Sequence, residues 1–122
     1  TERILLIDDE PPLADMSSQI LKGLGYTVTI RTSSIEALAL FQEKPEAFDL
    51  VITDMTMPHM TGDVLAAEMM KIRPNIPIIL CTGYNECISS DRARALGVKR
   101  YALKPIELKQ MAHLIREVFD NP

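Results

Sequence analysis

Five short runs of apolar and β-branched residues recur along the chain, and this recurrence constrains the fold more than any other feature. The runs are Arg3–Ile7, Thr27–Arg31, Leu50–Thr53, Ile76–Cys81 and Arg100–Leu103. Three of them are almost continuously apolar, which is typical of strands covered on both faces of a parallel sheet. The runs therefore predict five buried strands.

Residues at helical spacing lie between the predicted strands. Ser33 and Glu36 form a capping box, while Gly25 and Gly97 stand where helices are expected to end. Strands and helices that alternate in this way predict an α/β domain with a parallel sheet and right-handed crossovers. A fourth helix is weakly patterned over about residues 88–96. The positions expected to face the core of the other helices are Leu13, Met16, Ile20, Leu21, Leu24, Ile35, Leu38, Phe41, Val64, Leu65, Met69, Ile72, Leu108, Met111, Leu114, Ile115 and Val118.

The length of the chain limits this pattern to one domain. We expect all 122 residues, 1–122, to form a single domain that folds without a disulfide or a structural metal. A common solution for five strands is the flavodoxin-like (βα)5 fold, a doubly wound three-layer sandwich with the strand order 2-1-3-4-5. In such a sheet, functional residues lie at the carboxyl ends of the strands, near the switch between strands 1 and 3.

Composition excludes several functional classes. The 13 basic and 17 acidic residues give a net charge of −4, which disfavours direct binding to nucleic acid. No apolar run approaches the roughly 18 residues of a membrane span, and the opening does not resemble a signal peptide, so we expect no membrane contact by this domain. The cysteines, Cys81 and Cys87, fit neither a disulfide framework nor a zinc motif and favour a reducing, cytoplasmic setting.

Polar residues directly follow four of the predicted strands. Asp8 and Asp9 follow the first, Asp54 the third, Thr82 the fourth and Lys104 the fifth. Because neighbouring strands are ~4.8 Å apart, these residues are expected to meet at one edge. Two carboxylates ~4 Å apart repel by about 4 kcal/mol at an effective dielectric of about 20, so the cluster must take up protons or bind a cation. Ligands that are all oxygens favour Mg²⁺, or Mn²⁺, over zinc. Together with the ammonium group of Lys104 and the hydroxyl of Thr82, they indicate a site for a phosphoryl group with a carboxylate as acceptor.

These residues stand in motifs that resemble the receiver domain of two-component response regulators. The similarity covers the chain from Arg3 to Phe119, and the motifs occur in order. The resemblance implies a signalling domain, not an enzyme, that promotes its own phosphorylation and dephosphorylation. The motifs are Ile7-Asp8-Asp9-Glu10, Thr53-Asp54-Met55-Thr56-Met57-Pro58 with Gly62, Thr82-Gly83, and Tyr101-Ala102-Leu103-Lys104-Pro105.

The resemblance also implies a phosphorylation site. Asp54 would be the phospho-acceptor and would attack the phosphohistidine of a histidine kinase or a histidine phosphotransfer domain. Lys104 would pair with the phosphoryl group, and its peptide bond to Pro105 would be cis. The ligands of Mg²⁺ would be Asp8, Asp9, Asp54 and the backbone carbonyl of Thr56.

A switch is implied in the same way. Thr82 would move toward the phosphoryl group, and Tyr101 would swing inward after it. Thr56 and Tyr84 flank the expected path of the hydrolytic water, where a bulky Tyr84 is expected to prolong the life of the phospho-form. The face made by the fourth helix, fifth strand and fifth helix would then change and serve a partner or self-association. A basic stretch along that face contains Arg92, Arg94, Lys99, Arg100, Lys104 and Lys109.

Several details favour one kind of parent protein. The segments Glu2–Glu10, Cys81–Asn85 and Ile115–Asp120 resemble receivers at the carboxyl end of hybrid sensor histidine kinases, and Thr1 in place of Met suggests a domain excised from a longer chain. A stand-alone or amino-terminal receiver of a response regulator is the alternative.

Two other classes fit the sequence less well. A haloacid-dehalogenase-type phosphatase, the remote alternative, would need Asp-x-Asp after the first strand. A flavin carrier of the flavodoxin type would need a phosphate loop rich in Ser and Thr there. The chain has Asp8-Asp9-Glu10-Pro11 at that position, which matches neither requirement.

Overall fold

The five predicted strands form one parallel sheet in the order β2-β1-β3-β4-β5. The fold is a computed structural model that describes residues 2–55, 57–82, 100–103 and 108–120. The predicted fold class is confirmed, while the predicted helix over 88–96 lies outside the described residues. In chain order the described elements are β1 (Arg3–Ile7), α1 (Pro11–Gly23), β2 (Thr27–Arg31), α2 (Ser34–Glu43), β3 (Leu50–Asp54), α3 (Gly62–Ile72), β4 (Ile78–Thr82), β5 (Arg100–Leu103) and α4 (Leu108–Asp120).

Helices cover the sheet on both faces, giving the predicted three layers. Phe41 of α2 and Met69 of α3 are buried in a core cluster on one face. Leu21 of α1 and Ile115 of α4 are buried in a second cluster on the other face. Within the described ranges, every helix is too short or too polar to span a bilayer.

The ends of the first two helices follow from local sequence. Gly25 has a φ of 98°, and the amides of Gly25 and Tyr26 donate to the carbonyls of Lys22 and Leu21. This pair of bonds is the Schellman motif that ends α1, and the left-handed backbone favours glycine there. The Ser33 side chain accepts a hydrogen bond from the Glu36 amide, which is the Ser33 half of the predicted capping box.

The predicted core faces of the first three helices are partly wrong. Small residues occupy the buried sheet-facing positions, among them Ala14 and Ser18 in α1 and Ala66 in α3. Small residues let a helix lie close to a sheet, so the larger apolar neighbours are displaced to the flanks. The predicted core residues that are exposed instead are Met16 (54%), Leu24 (36%), Ile35 (49%) and Val64 (47%).

The fourth strand begins two residues later than the sequence predicts. Pro77 has no amide hydrogen to donate, so regular pairing starts at Ile78. The Pro77 carbonyl nevertheless accepts a hydrogen bond of 3.0 Å from the Val51 amide. At their other ends, β3 and β4 extend to Asp54 and Thr82, which brings both residues to the carboxyl edge of the sheet.

Candidate acidic site at the carboxyl edge of the sheet

Three carboxylates meet where the two central strands end. Ile7 of β1 pairs with Thr53 of β3, so Asp8 and Asp54 leave the two strands side by side. One carboxylate oxygen from each of Asp8, Asp9 and Asp54 lies within 4.8 Å of the other two. The predicted convergence of these three residues is therefore observed.

The environment of the three carboxylates favours a cation. Asp8 and Asp54 are only 6% and 5% exposed, and Asp9 is half-buried. Burial weakens the screening of their mutual repulsion by water, so a cation among them is strongly favoured. A set of carboxylate oxygens suits a small hard divalent ion such as Mg²⁺ better than a soft transition metal. The donor set thus fits the predicted cation.

Backbone groups fix the orientation of Asp8. Its Oδ1 accepts a hydrogen bond of 3.0 Å from the amide of Glu10. Its own amide donates to the carbonyl of Arg31 on β2, at 3.2 Å. The carboxylate is therefore held by the chain that turns into α1 and by the neighbouring edge strand.

The β3–α3 loop, residues 55–61, is closed at its two ends. The amide of Met55 donates to the carbonyl of Cys81 on β4, and the amide of Gly62 donates to the carbonyl of Met55, both at 2.8 Å. A β-carbon on Gly62 would overlap the Asp54 carbonyl and would stand 2.8 Å from Cδ1 of Leu80. Only glycine allows α3 to begin this close to β3.

The middle of the loop contains a strained turn. His59 has a φ of 71°, and the amide of Met60 donates to the carbonyl of Pro58 at 2.8 Å. A hydrogen bond from residue i+2 back to residue i, with a positive φ at the residue between them, defines the rarer and strained form of the γ-turn. The Ser34 hydroxyl of α2 also donates to the Pro58 carbonyl, at 3.4 Å, and Met57 is buried in the core. The strained turn is thus held from both sides.

A buried acid follows the loop at the start of α3. Asp63 is 4% exposed, and its Oδ1 accepts a hydrogen bond from the Thr61 hydroxyl. Thr61 is the N-cap residue of α3. The pair joins the last residue of the loop to the first turn of the helix.

The other predicted site residues are described only in part or not at all. The backbone places Thr82 at the end of β4, directly after Cys81, which pairs with Asp54. Tyr101 pairs with Leu80 in the register of β4 and β5. The predictions for Thr56, Tyr84, Lys104 and Pro105 fall outside the described residues.

Sequence reasoning missed the groups that support the carboxylates. The Glu10 amide and the Arg31 carbonyl are backbone groups, which side-chain patterns do not reveal. In the sequence Asp63 looks like an ordinary exposed acid in the first turn of a helix, and only its burial in the structure distinguishes it from one. The signal available was Gly62, which stands where a helix would rarely begin unless another backbone came close.

A different cluster stabilises the opposite edge of the sheet. The Asp49 carboxylate accepts hydrogen bonds from the Arg3 amide (2.7 Å) and Nε (3.3 Å). Arg73 donates to the carbonyls of Pro45 and Phe48 close by. Burial raises the pKa of Asp49, but the hydrogen bonds and charge of Arg3, with the charge of Arg73, outweigh burial and hold the pKa below its ordinary value.

Comparison with known proteins identifies a family. The sequence model of the response regulator receiver domain matches residues 4–116. The chain is 32% identical over 118 residues to the sensor kinase CckA of Brucella abortus and 31% identical over 123 residues to the two-component response regulator ORR22 of Oryza sativa. These matches cover 97% and 98% of the chain but only 12% and 18% of the two relatives.

A solved structure shows the same fold. The crystal structure of a response regulator receiver domain protein from Clostridium thermocellum superposes with a TM-score of 0.93 at 31% sequence identity. The superposition covers 98% of this chain and 95% of that one. The likeness therefore extends over nearly the whole of both chains.

Proposed function

Because the chain belongs to the family of response regulator receiver domains, we propose that Asp54 is the residue that accepts its phosphoryl group. Receiver domains are signalling domains that exchange phosphoryl groups with histidine kinases or histidine phosphotransfer proteins. The observation that carries the proposal is the meeting of Asp8, Asp9 and Asp54 at the carboxyl edge of the sheet. In this proposal residues 1–122 form one receiver domain and do not act as an enzyme on a separate substrate.

The transfer is a displacement at phosphorus. An Oδ of Asp54 attacks the phosphohistidine of the partner, and the bond from the imidazole nitrogen to phosphorus breaks as the acyl phosphate forms. The imidazole keeps the electron pair and takes up a proton. Lys104 would pair with the phosphoryl oxygens, and its peptide bond to Pro105 would be cis.

A divalent cation completes the proposed site. Asp8, Asp9, Asp54 and the backbone carbonyl of Thr56 would hold Mg²⁺, with Mn²⁺ as a substitute. The bound ion supplies positive charge that offsets the charge of the transferred group. The protein itself positions Asp54 for attack, because the backbone of this residue pairs with β4 and Gly62 packs closely against its carbonyl.

The output of the domain would be a shift between two conformations. Thr82 would move toward the phosphoryl group and Tyr101 would follow, altering the face that the fourth predicted helix, β5 and α4 would form. In this proposal the basic residues between Arg92 and Lys109 would lie along that face and favour contact with a partner. Self-association is the other role proposed for the face. Thr56 and Tyr84 would set how fast water reaches the acyl phosphate.

The parent protein is part of the same proposal. The similarity to the sensor kinase CckA supports a receiver from a hybrid sensor histidine kinase, whereas the similarity to ORR22 supports the receiver of a response regulator. We favour the hybrid kinase on the motifs of the sequence. A cytoplasmic location without contact to membrane or nucleic acid fits the cysteine content and the net charge of −4.

Phosphorylation by a small donor tests the proposed function. The protein is incubated with acetyl phosphate and Mg²⁺, and its intact mass is measured. We expect a gain of one phosphoryl group that is lost in Asp54→Asn and in the presence of a chelator. Asp15→Asn, an exposed acid of α1, serves as the matched control and should gain the group normally. A wild-type protein that neither gains mass nor binds beryllofluoride would contradict the proposal.

A further inference from the structure

Asp63 is a buried carboxylate that the proposed function does not use, and it directly follows Gly62, which lies close to the backbone of the proposed acceptor. It is 4% exposed and occupies the first turn of α3. Burying a carboxylate costs free energy unless hydrogen bonds compensate. Helix propensity alone therefore does not explain why the Asp63 carboxylate is buried. The favourable effect of an acid near a helix N-terminus is available to an exposed side chain as well.

The bond to Asp63 replaces the usual role of an N-cap residue. Thr61 has the extended backbone of an N-cap, with φ −71° and ψ 160°, yet in the described structure its side chain makes no capping bond to an amide of α3. An N-cap hydroxyl ordinarily accepts such a bond. Here the hydroxyl donates to Oδ1 of Asp63, so Thr61 and Asp63 clamp the residue between them.

The residue between them is Gly62, which touches the backbone of the acceptor. Its amide donates to the Met55 carbonyl at 2.8 Å, and its α-carbon leaves no room for a β-carbon beside the Asp54 carbonyl. A displacement of Gly62 is therefore passed directly to the peptide that carries Asp54. The clamp lies on the segment that sets the position of the attacking carboxylate.

We propose that Asp63 is a positioning residue for phosphorylation, acting through the Thr61 hydroxyl to hold Gly62 against the backbone of Asp54. The inference rests on the proposed function of Asp54. In-line attack requires the carboxylate to be placed within a fraction of an ångström. Loss of the clamp should therefore lower the rate of transfer while leaving the binding of the phosphodonor unchanged.

A double-mutant cycle tests this inference. Autophosphorylation by acetyl phosphate is followed by intact mass at saturating Mg²⁺, over a range of donor concentrations, for Thr61→Val, Asp63→Ala and the double variant. We expect each single change to lower the limiting rate about three- to ten-fold, the size of one lost hydrogen bond, without raising the half-saturating donor concentration. The double variant should be no slower than the slower single variant. Thr61→Ser, which keeps the hydroxyl, should restore the wild-type rate.

A control substitution remote from the clamp separates positioning from a general loss of stability. Asp49→Asn weakens the Arg3 cluster at the opposite edge of the sheet and should leave the limiting rate unchanged. Additive losses in the double variant, wild-type rates in both single variants, or a slowed Asp49→Asn would each overturn the inference. Should Asp63→Ala fail to fold, the comparison of Thr61→Val with Thr61→Ser decides. A wild-type protein that neither gains the phosphoryl group nor binds beryllofluoride would overturn the proposed function itself.

Discussion

Gly62 lies so close to Asp54 that a β-carbon at position 62 would overlap the Asp54 carbonyl oxygen. The same glycine donates its amide to Met55, the residue after Asp54. The start of α3 and the end of β3 are thus in direct main-chain contact. The geometry of the acidic site is consequently set by backbone packing as much as by the carboxylates themselves.

Replacing Gly62 by alanine should therefore destabilise the protein. We expect Gly62→Ala to lower the free energy of unfolding by about 1–3 kcal/mol, because the atom in the way is backbone and cannot rotate aside. Gly23→Ala is the control, since a β-carbon there meets nothing within 4 Å and alanine is the better helix former. Urea denaturation of both variants measures the difference. Equal stability of the two variants would show that the loop relaxes freely.

The positive φ of His59 predicts a stabilising substitution. His59→Gly should raise the melting temperature by a few degrees, because relief of about 1–2 kcal/mol of left-handed strain exceeds the added chain entropy of glycine. His59→Ala keeps the strain and should bring no such gain. Thermal unfolding followed by circular dichroism distinguishes the two. A His59→Gly protein that melts below wild type would show that the imidazole makes a compensating contact.

Removal of one carboxylate should have opposite effects with and without Mg²⁺. Asp9→Asn relieves repulsion in the metal-free protein and should raise its melting temperature slightly. Mg²⁺ should stabilise the wild type more than Asp9→Asn. At a concentration one hundred times its dissociation constant, a bound ion raises the free energy of unfolding by about 2.7 kcal/mol. Calorimetric scans with chelator and with Mg²⁺ measure the melting temperatures of the metal-free and the Mg²⁺-bound proteins, and Asp15→Asn is the control. An equal response of wild type and Asp9→Asn to Mg²⁺ would argue against a ligand role for Asp9.

The low pKa of Asp49 predicts a pH-dependent contribution to stability. A carboxyl whose pKa is lower in the folded than in the unfolded protein stabilises the fold above its ordinary value of 3.8, and that contribution disappears as the pH falls through the lower folded-state value. The gap in melting temperature between wild type and Asp49→Asn should thus be largest near neutral pH and narrow below pH 3.8. A gap that widens on acidification would reverse the assigned sign.

Tyr84 is expected to control the lifetime of the phospho-form. It stands two residues after Thr82, where a bulky side chain would restrict the approach of water to the acyl phosphate. Tyr84→Ala should lose the phosphoryl group severalfold faster than wild type, while Tyr84→Phe keeps the bulk and should resemble wild type. The decay of the phosphorylated mass after removal of the donor gives the rates. Equal decay in all three proteins would exclude shielding by this residue.

The strands and the acidic cluster could be predicted because four of the five apolar runs are followed at once by a polar residue of the predicted site. In a parallel sheet that order alone brings Asp8 and Asp54 to the same edge, as observed. The helix faces could not be predicted as well. Spacing identified Met16 and Val64 as core residues, but close approach to the sheet selects small side chains such as Ala14 and Ala66.

The support of the site was beyond the reach of the sequence. The turn at His59 depends on closure of the loop between Met55 and Gly62, which no local pattern reports. Asp63 looks like a helix-start acid, and its burial follows from where α3 meets β3. Side-chain patterns therefore located the carboxylates but not the contacts that hold them.

The strand order has a consequence for when the protein becomes able to signal. Asp8 and Asp54 become neighbours only through the pairing of β1 with β3, which are separated in the chain by α1, β2 and α2. A chain emerging from the ribosome lacks the cluster until β3 has been made and has paired with β1, even if α1 and α2 have already formed. Under the proposed function, the ability to accept a phosphoryl group would therefore depend on the pairing of β1 with β3.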